Sequence, residues 1–124
     1  MNEKFKYEFD TTTGILYKYY YGIIRLEDIF SSWDFAIENN LIPPQKKGFL
    51  LDYRNASFDI KLSDYVKIPE YYVKHLDVFQ DQRIAILTQS VQDVAIPTLV
   101  ETKDYKYQSR PFYTIEAALK WVLG

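Results

Sequence analysis

The chain has 124 residues, a net charge of −2 and no cysteine, and 48% of its side chains are hydrophobic. That hydrophobic content excludes a disordered polypeptide, and the acidic balance, with a pI near 5.4, argues against nucleic acid as a partner, since its footprint is a basic domain or stripe. Without cysteine there are no disulfides, no thiol nucleophile and no cysteine-held zinc or iron–sulfur cluster.

The length suits a single domain, residues 1–124, around one core. No basic run exceeds Lys46-Lys47, so an anionic membrane surface is not favoured. No apolar run approaches the roughly 18 residues of a membrane span. Met1-Asn2-Glu3-Lys4 leads directly into a strand pattern with no apolar leader, so no signal peptide is expected. Together with the missing cysteines this points to the cytoplasm. The aromatic content is high, with 12 Tyr, 8 Phe and 2 Trp. Tyrosine sits half-buried with its hydroxyl wet, so these rings suit a core with amphipathic margins or an aromatic contact surface.

Phe5, Tyr7 and Phe9 alternate with charged residues and predict a half-buried strand. Thr11-Thr12-Thr13-Gly14 is a turn, and Ile15 to Ile24 is a second strand antiparallel to the first. Tyr19-Tyr20-Tyr21 puts tyrosine on both of its faces, and Gly22 marks a bulge or a close approach. Leu26 to Asn39 is a helix with the stripe Ile29, Phe30, Trp33 and Ile37. Glu27 and Asp28 lie in its first turn, where negative charge suits the dipole. Leu41-Ile42-Pro43-Pro44 cannot continue it.

Lys47 to Arg54 is the central strand, because Phe49-Leu50-Leu51 is apolar without alternation and so covered on both faces. Asn55 to Asp59 reads as a polar connection. A second helix follows between Ser63 and Gln80, with the stripe Ile68, Tyr72, Leu76 and Phe79, and Pro69 either kinks it or opens its regular part. Arg83 to Thr88 is the next strand. Ser90 and Asp93 resemble a capping box ahead of a helix with inner stripe Val91, Val94, Ala95, Thr98 and Leu99, in which Pro97 implies a kink or a late start. Arg110 to Tyr113 is a short last strand. Thr114 caps a terminal helix with the stripe Ile115, Ala118, Leu119 and Val122.

The order is β-β-α-β-α-β-α-β-α. It implies an α/β fold with a mixed, mostly parallel sheet, an antiparallel edge strand and helices packed on the sheet. In such sheets the working edge is where strands end and helices begin. Asp52, Arg54, Asn55 and Ser57 follow one strand, Thr88, Gln89 and Ser90 the next, and Thr114 the last. The candidate binding residues are Asp52, Arg54, Ser57, Thr88 and Ser90, offered to a small anion or to an acidic side chain of a partner. The plainer reading is helix capping by Ser90 and Thr114 and an ion pair between Asp52 and Arg54.

Other chemistry is poorly equipped. The single histidine, His75, has no second ligand or nucleophile beside it and suits a surface position. Asp77 and Asp81 share a helix face without metal-loop spacing. Asp52 and Asp59 are the one pair of carboxylates that acid–base work could use. The four glycines are scattered, so there is no phosphate loop. Nothing calls for a cofactor or a metal.

The chain resembles the STAS domain superfamily, and within it the SpoIIAA-like, or STAS/SEC14-like, small bacterial proteins. The residues carrying this are Gly22-Ile23-Ile24 leading into Leu26-Glu27-Asp28, then Gly48-Phe49-Leu50-Leu51-Asp52, Arg83-Ile84-Ala85-Ile86-Leu87-Thr88 and Glu116-Ala117-Ala118-Leu119-Lys120-Trp121. These are hydrophobic patterns, specific for fold and weak for function. The resemblance implies a non-catalytic regulatory or protein-interaction module. The alternative is a small-ligand-binding domain for an anion or an apolar molecule, and an enzyme using Asp52 or Asp59 comes last. A protein, a small anion or a second copy of the chain in a homodimer are the partners open to it. Phosphorylation-switched members of the family carry a serine at the head of the helix after the central strand. Here that place falls on Lys61 or Leu62, with Ser57 and Ser63 nearby but out of register.

Overall fold

The computed structural model describes residues 4–124. Met1 to Glu3, on which the reading of a leaderless start partly rests, lie outside the described residues. Five strands form one sheet in the order β1 (Phe5–Asp10), β2 (Ile15–Ile24), β3 (Gly48–Phe58), β4 (Arg83–Leu87), β5 (Gln108–Phe112). β1 runs antiparallel to β2 and the other neighbours are parallel. The helices are α1 (Leu26–Glu38), α2 (Lys67–Lys74), α3 (Leu76–Phe79), α4 (Val91–Glu101) and α5 (Ile115–Leu123), with a 3-10 turn at Leu62–Asp64. The mixed sheet with an antiparallel edge strand is the one expected from the sequence.

β3 occupies the middle of the sheet, and Gly48 to Tyr53 are all buried. Phe49, Leu51 and Tyr53 enter a cluster with Trp33 of α1, Tyr72 of α2 and Ile96 of α4. Leu50 points the other way and meets Ile15, Leu87 and the α5 residues Ala118 and Val122. The sheet is therefore sandwiched, with α5 alone on its second face. A Cβ on Gly48 would stand 2.5 Å from Val122 Cγ1 and 3.0 Å from the Arg83 carbonyl. Glycine at the head of β3 is what lets α5 lie this close.

Several expectations are corrected. Asn55 to Phe58 is not a loop: β3 continues to Phe58, paired through Ala56, Ser57 and Phe58 with Gly22, Ile23 and Ile24 of β2. The alternation persists there, with Ala56 and Phe58 packed inward and Asn55 and Ser57 exposed, and the ten-residue β2 supplies the ladder. The register slips between Tyr19 and Tyr21, not at Gly22, whose positive φ of 80° leaves nothing within 4 Å of a would-be Cβ. The helix drawn from Ser63 to Gln80 is three pieces. His75, at φ −120° and ψ 41°, breaks it between α2 and α3. Pro69 is the third residue of α2, inside the first turn, where an N–H has no intrahelical acceptor to lose; it neither kinks the helix nor opens it.

α4 runs unbroken through Pro97 and buries Ile96, Pro97 and Val100, not the stripe beginning at Val91. Proline costs one hydrogen bond there but adds an apolar ring to the buried face. In α1 the fully buried positions are Ile29, Ser32, Trp33 and Ala36, while Phe30 and Ile37 are half-buried. The last strand starts earlier than expected, at Gln108, and Tyr113 is exposed.

Candidate functional site

β2, β3, β4 and β5 run parallel, so their carboxyl ends share one edge, and the predicted site residues divide there into two groups. Asp52 on β3 takes three bonds from the Arg54 guanidinium, Nε at 3.1 and 3.2 Å and a terminal nitrogen at 2.8 Å, and one from the Arg54 backbone N–H at 2.9 Å. Two bonds of this fork are parallel, the strong geometry for such a pair. The Asp52 side chain is nearly buried, whereas that of Arg54 is 37% exposed. Hydrogen bonding to Asp52 raises the pKa of Arg54 further, so its charge is fixed.

The second group centres on Asp93, which the sequence marked only as the capping partner of Ser90. Ser90 Oγ accepts from the Asp93 N–H at 3.0 Å and donates to Asp93 Oδ2 at 2.8 Å. Ser57 Oγ donates to the same oxygen at 3.3 Å, and the Phe58 N–H donates to Oδ1 at 3.2 Å. One carboxylate in the first turn of α4, where the dipole favours it, thus ties the end of β3 to the start of that helix. Ser57 and Ser90 are brought together through it. No hydrogen bond or ion pair joins this group to Asp52–Arg54 among the described residues.

Thr88 is fully buried, and its hydroxyl has no hydrogen-bond partner; of the five predicted residues it is the one with no access to solvent. Thr114 caps α5 by accepting from the Ala117 N–H at 3.2 Å. Asp59 pairs with Arg25 at 3.1 Å and Asp52 with Arg54, so the two carboxylates have separate cationic partners. His75 is half-buried at the helix break and packs on Tyr71, with ring centroids 4.3 Å apart. Among the described residues, no three histidine or carboxylate side chains are grouped to hold a metal ion.

The sequence missed three features. The first is a set of exposed apolar side chains at the same edge: Ile23, the register partner of Ser57, Leu62 in the 3-10 turn, and Val91, which follows Ser90 and is 80% exposed. Val91 was hidden because its spacing also fits an inward stripe.

The second is an open groove of about 720 Å³ along α2. Phe30, Val66, Pro69, Tyr71 and Val73 give it apolar walls, and Lys67, Lys74 and Lys103 rim it with Glu70. Phe30 and Tyr71 stack at 5.3 Å, and the Tyr71 hydroxyl donates to Asp34 Oδ1 at 2.6 Å. Burial and the Asp34 carboxylate hold that phenol protonated well beyond the usual range.

The third is Lys18. It occupies an inward position of β2 between Leu16 and Tyr20, fully buried, where its amine donates to Ser32 Oγ. The nitrogen stands 3.7 Å from the Trp33 ring centroid, 4.6 Å from that of Tyr20 and 5.3 Å from that of Tyr7. Desolvation pushes the ammonium well below its ordinary value of 10.5. The Tyr20 hydroxyl lies beside Tyr53 and Ser32 but meets neither at hydrogen-bonding geometry. The period-two pattern of β2 was the available signal for Lys18, since the alternation Leu16, Lys18, Tyr20 already places it inward.

No protein-family model matches the chain, and no curated protein matches its sequence. Solved structures do. An uncharacterised protein of the DUF3478 family from Shewanella loihica PV-4, described as having a SpoIIAA-like fold, superposes with a TM-score of 0.62 over 95% of this chain and 91% of that one, at 18% identity. The anti-sigma factor antagonist SpoIIAA in its unphosphorylated form superposes with a TM-score of 0.51 over 97% of this chain and 98% of that one, at 17% identity. Among the described residues no helix is long and apolar enough to cross a membrane. With the strand order, the antiparallel edge and these superpositions in agreement, the chain has a SpoIIAA-like α/β fold.

Proposed function

We propose that the chain is a non-catalytic regulatory or protein-interaction module, a single domain whose working surface is the carboxyl edge bearing Arg54, Ser57 and Ser90. The superposition on an anti-sigma factor antagonist supports the class, and fold alone does not supply the site. The observation that carries the site is the exposure of Ile23 beside Ser57 and of Val91 next to Ser90. Apolar anchors set in a polar rim are the composition of a protein contact surface. Asp93 holds that surface in one shape before any partner arrives, which lowers the ordering cost of binding. Asp52 is committed to Arg54 and Asp59 to Arg25, an arrangement that supports a binding role over an acid–base one.

A second reading, binding of a small apolar or anionic molecule, is favoured by the groove along α2. Tagged protein would be used to capture partners from extract of its host, in parallel with an Ile23→Glu, Val91→Glu variant. The expected result is a stoichiometric protein retained by the parent and lost from the variant. Capture indifferent to both substitutions, together with a rise in Tm on adding a small molecule, would favour the second reading.

A further inference from the structure

We propose that β1 is a proton-linked latch: this edge strand closes the aromatic box around Lys18, and protonation of that amine favours its opening. The device lies away from the carboxyl edge and does not depend on the interaction reading given to it.

Geometry leaves the amine one way out. Lys18 lies on β2, with β3 on one side and β1 on the other. Trp33 and Ser32 of α1 roof it, and Tyr20 closes it along its own strand. The remaining wall is β1, whose Phe5 and Tyr7 ring centroids stand 6.0 and 5.3 Å from the nitrogen. β1 pairs on one side only, so it is the wall that can leave without unmaking the parallel strands. Its turn end is pinned: the Asp10 carboxylate accepts from the Thr12 N–H and the Thr13 hydroxyl, and its carbonyl from the Gly14 N–H. The other end is held to α1 by side chains, Lys4 to Asp28 at 3.0 Å and the Tyr7 hydroxyl to the Ser32 carbonyl. Opening therefore starts at Phe5 and turns about residues 11–14. It bares the hydrogen-bonding edge of β2, a template for another strand.

The proton enters through the amine's surroundings. An ammonium has three N–H donors, and here one acceptor, Ser32 Oγ, receives from it. No carboxylate pairs with it among the described residues, and the ring faces offset only part of its lost hydration. The closed box thus favours the neutral amine, water favours the ammonium, and opening takes up a proton. Its titratable neighbours do not compete between pH 7 and 9. Burial pushes the phenols of Tyr7, Tyr20, Tyr53, Tyr71 and Tyr72 up. Burial also acts to raise Asp28, but the bonds from Arg25 and Lys4 outweigh it and keep that carboxylate ionised. His75 packs on the Tyr71 ring and serves as a control.

Amide hydrogen exchange at pH 7, 8 and 9, with each rate divided by its intrinsic value, reads the opening. The hydrogen-bonded amides of β1 should open more often than those of β3. Their opening constant should fall by about tenfold for each unit rise in pH, the slope of one proton. Lys18→Met should remove that slope. Phe5→Ala keeps the amine and thins the wall, so it should raise the opening constant at every pH and retain the slope. His75→Gln should behave as the parent. The parent and Phe5→Ala decide the matter even where Lys18→Met does not fold. An opening constant of β1 indifferent to pH would overturn the proposal, as would β1 exchanging only together with β3. So would a slope that survives Lys18→Met or vanishes in His75→Gln.

Discussion

Lys18 leaves water for a box of aromatic rings and gains one hydrogen bond, to Ser32, with the ring faces as its further compensation. Its lowered pKa has a definite consequence for stability. Between the depressed value in the fold and the ordinary 10.5, the unfolded chain binds a proton that the folded chain does not. Stability therefore rises with pH across that window. Tyr20, Tyr53 and Tyr72 are buried phenols with raised pKa values, so from about pH 10 they act in the opposite direction. Replacing Lys18 by Met keeps the volume and removes the titrating group. Urea unfolding at a series of pH values from 6 to 9 should show the variant more stable than the parent by about 1–3 kcal/mol, the usual cost of a poorly compensated buried polar group. The margin should narrow as pH rises; a constant margin would mean that the amine does not titrate differently on folding. Asp93 is the second residue to test. Alanine there removes the carboxylate that accepts from Ser57, Ser90 and the Phe58 N–H, and a loss of about 1–3 kcal/mol is expected in the same assay. A loss under about 0.5 kcal/mol, typical of an unconnected surface site, would contradict the role assigned to it.

Among the elements, β3 sets the positions of the others. Its glycine start is a packing requirement: Gly48→Ala pushes a methyl into Val122 of α5. Overpacking of this kind costs about 1–3 kcal/mol, measurable as a fall in Tm, and an unchanged Tm would show α5 free to shift. The far end of β3 carries the prediction on phosphorylation. The register expected from the sequence puts Lys61, the residue before the 3-10 turn, or Leu62 within it, at the place of the serine in phosphorylation-switched STAS proteins, and neither accepts a phosphoryl group. Ser57 is close by, but its hydroxyl already rests on the Asp93 carboxylate. A phosphate there would bring close to two negative charges against a third. Kinase-containing host extract followed by mass spectrometry is expected to show no stoichiometric phosphate on Ser57 or Ser63. Its presence, with altered partner binding in the matching Ser→Ala variant, would overturn this.

For the whole molecule, one sheet carries two unequal cores. The larger lies under α1, α2 and α4, and the smaller under α5 alone. Leu51 points into the larger cluster at 2% exposure, so Leu51→Ala should cost about 2–5 kcal/mol. A loss below about 1 kcal/mol would mean that this layer collapses around the gap. The aromatic surplus is mostly spent on the larger core: Trp33, Phe49, Phe79 and Tyr72 meet edge to face or tilted, and Tyr20 stacks on Tyr53 at 4.1 Å. That answers the alternative of an aromatic contact surface for most of these rings, while Phe30 and Tyr71 are the two that line the groove.

By itself the sequence determined the element order, the central place of Phe49-Leu50-Leu51, the antiparallel edge and the caps at Ser90 and Thr114. Each of these follows from local chemistry: hydrophobic period, turn residues, and a hydroxyl one turn ahead of an N–H. The pairing of Asp52 with Arg54 was legible for the same reason, since two residues apart on a strand lie on one side. What lies far apart in sequence needed the tertiary structure. The extension of β3 through Ser57 depends on the length of β2 beside it, and the break at His75 on how α2 and α3 each reach the core. The meeting of Ser57 with Ser90 on Asp93 spans 36 residues. The groove needs Phe30, α2 and Lys103 together. Spacing along one chain records which side chains share a face; which faces meet, and which are left open to a partner, is decided by packing.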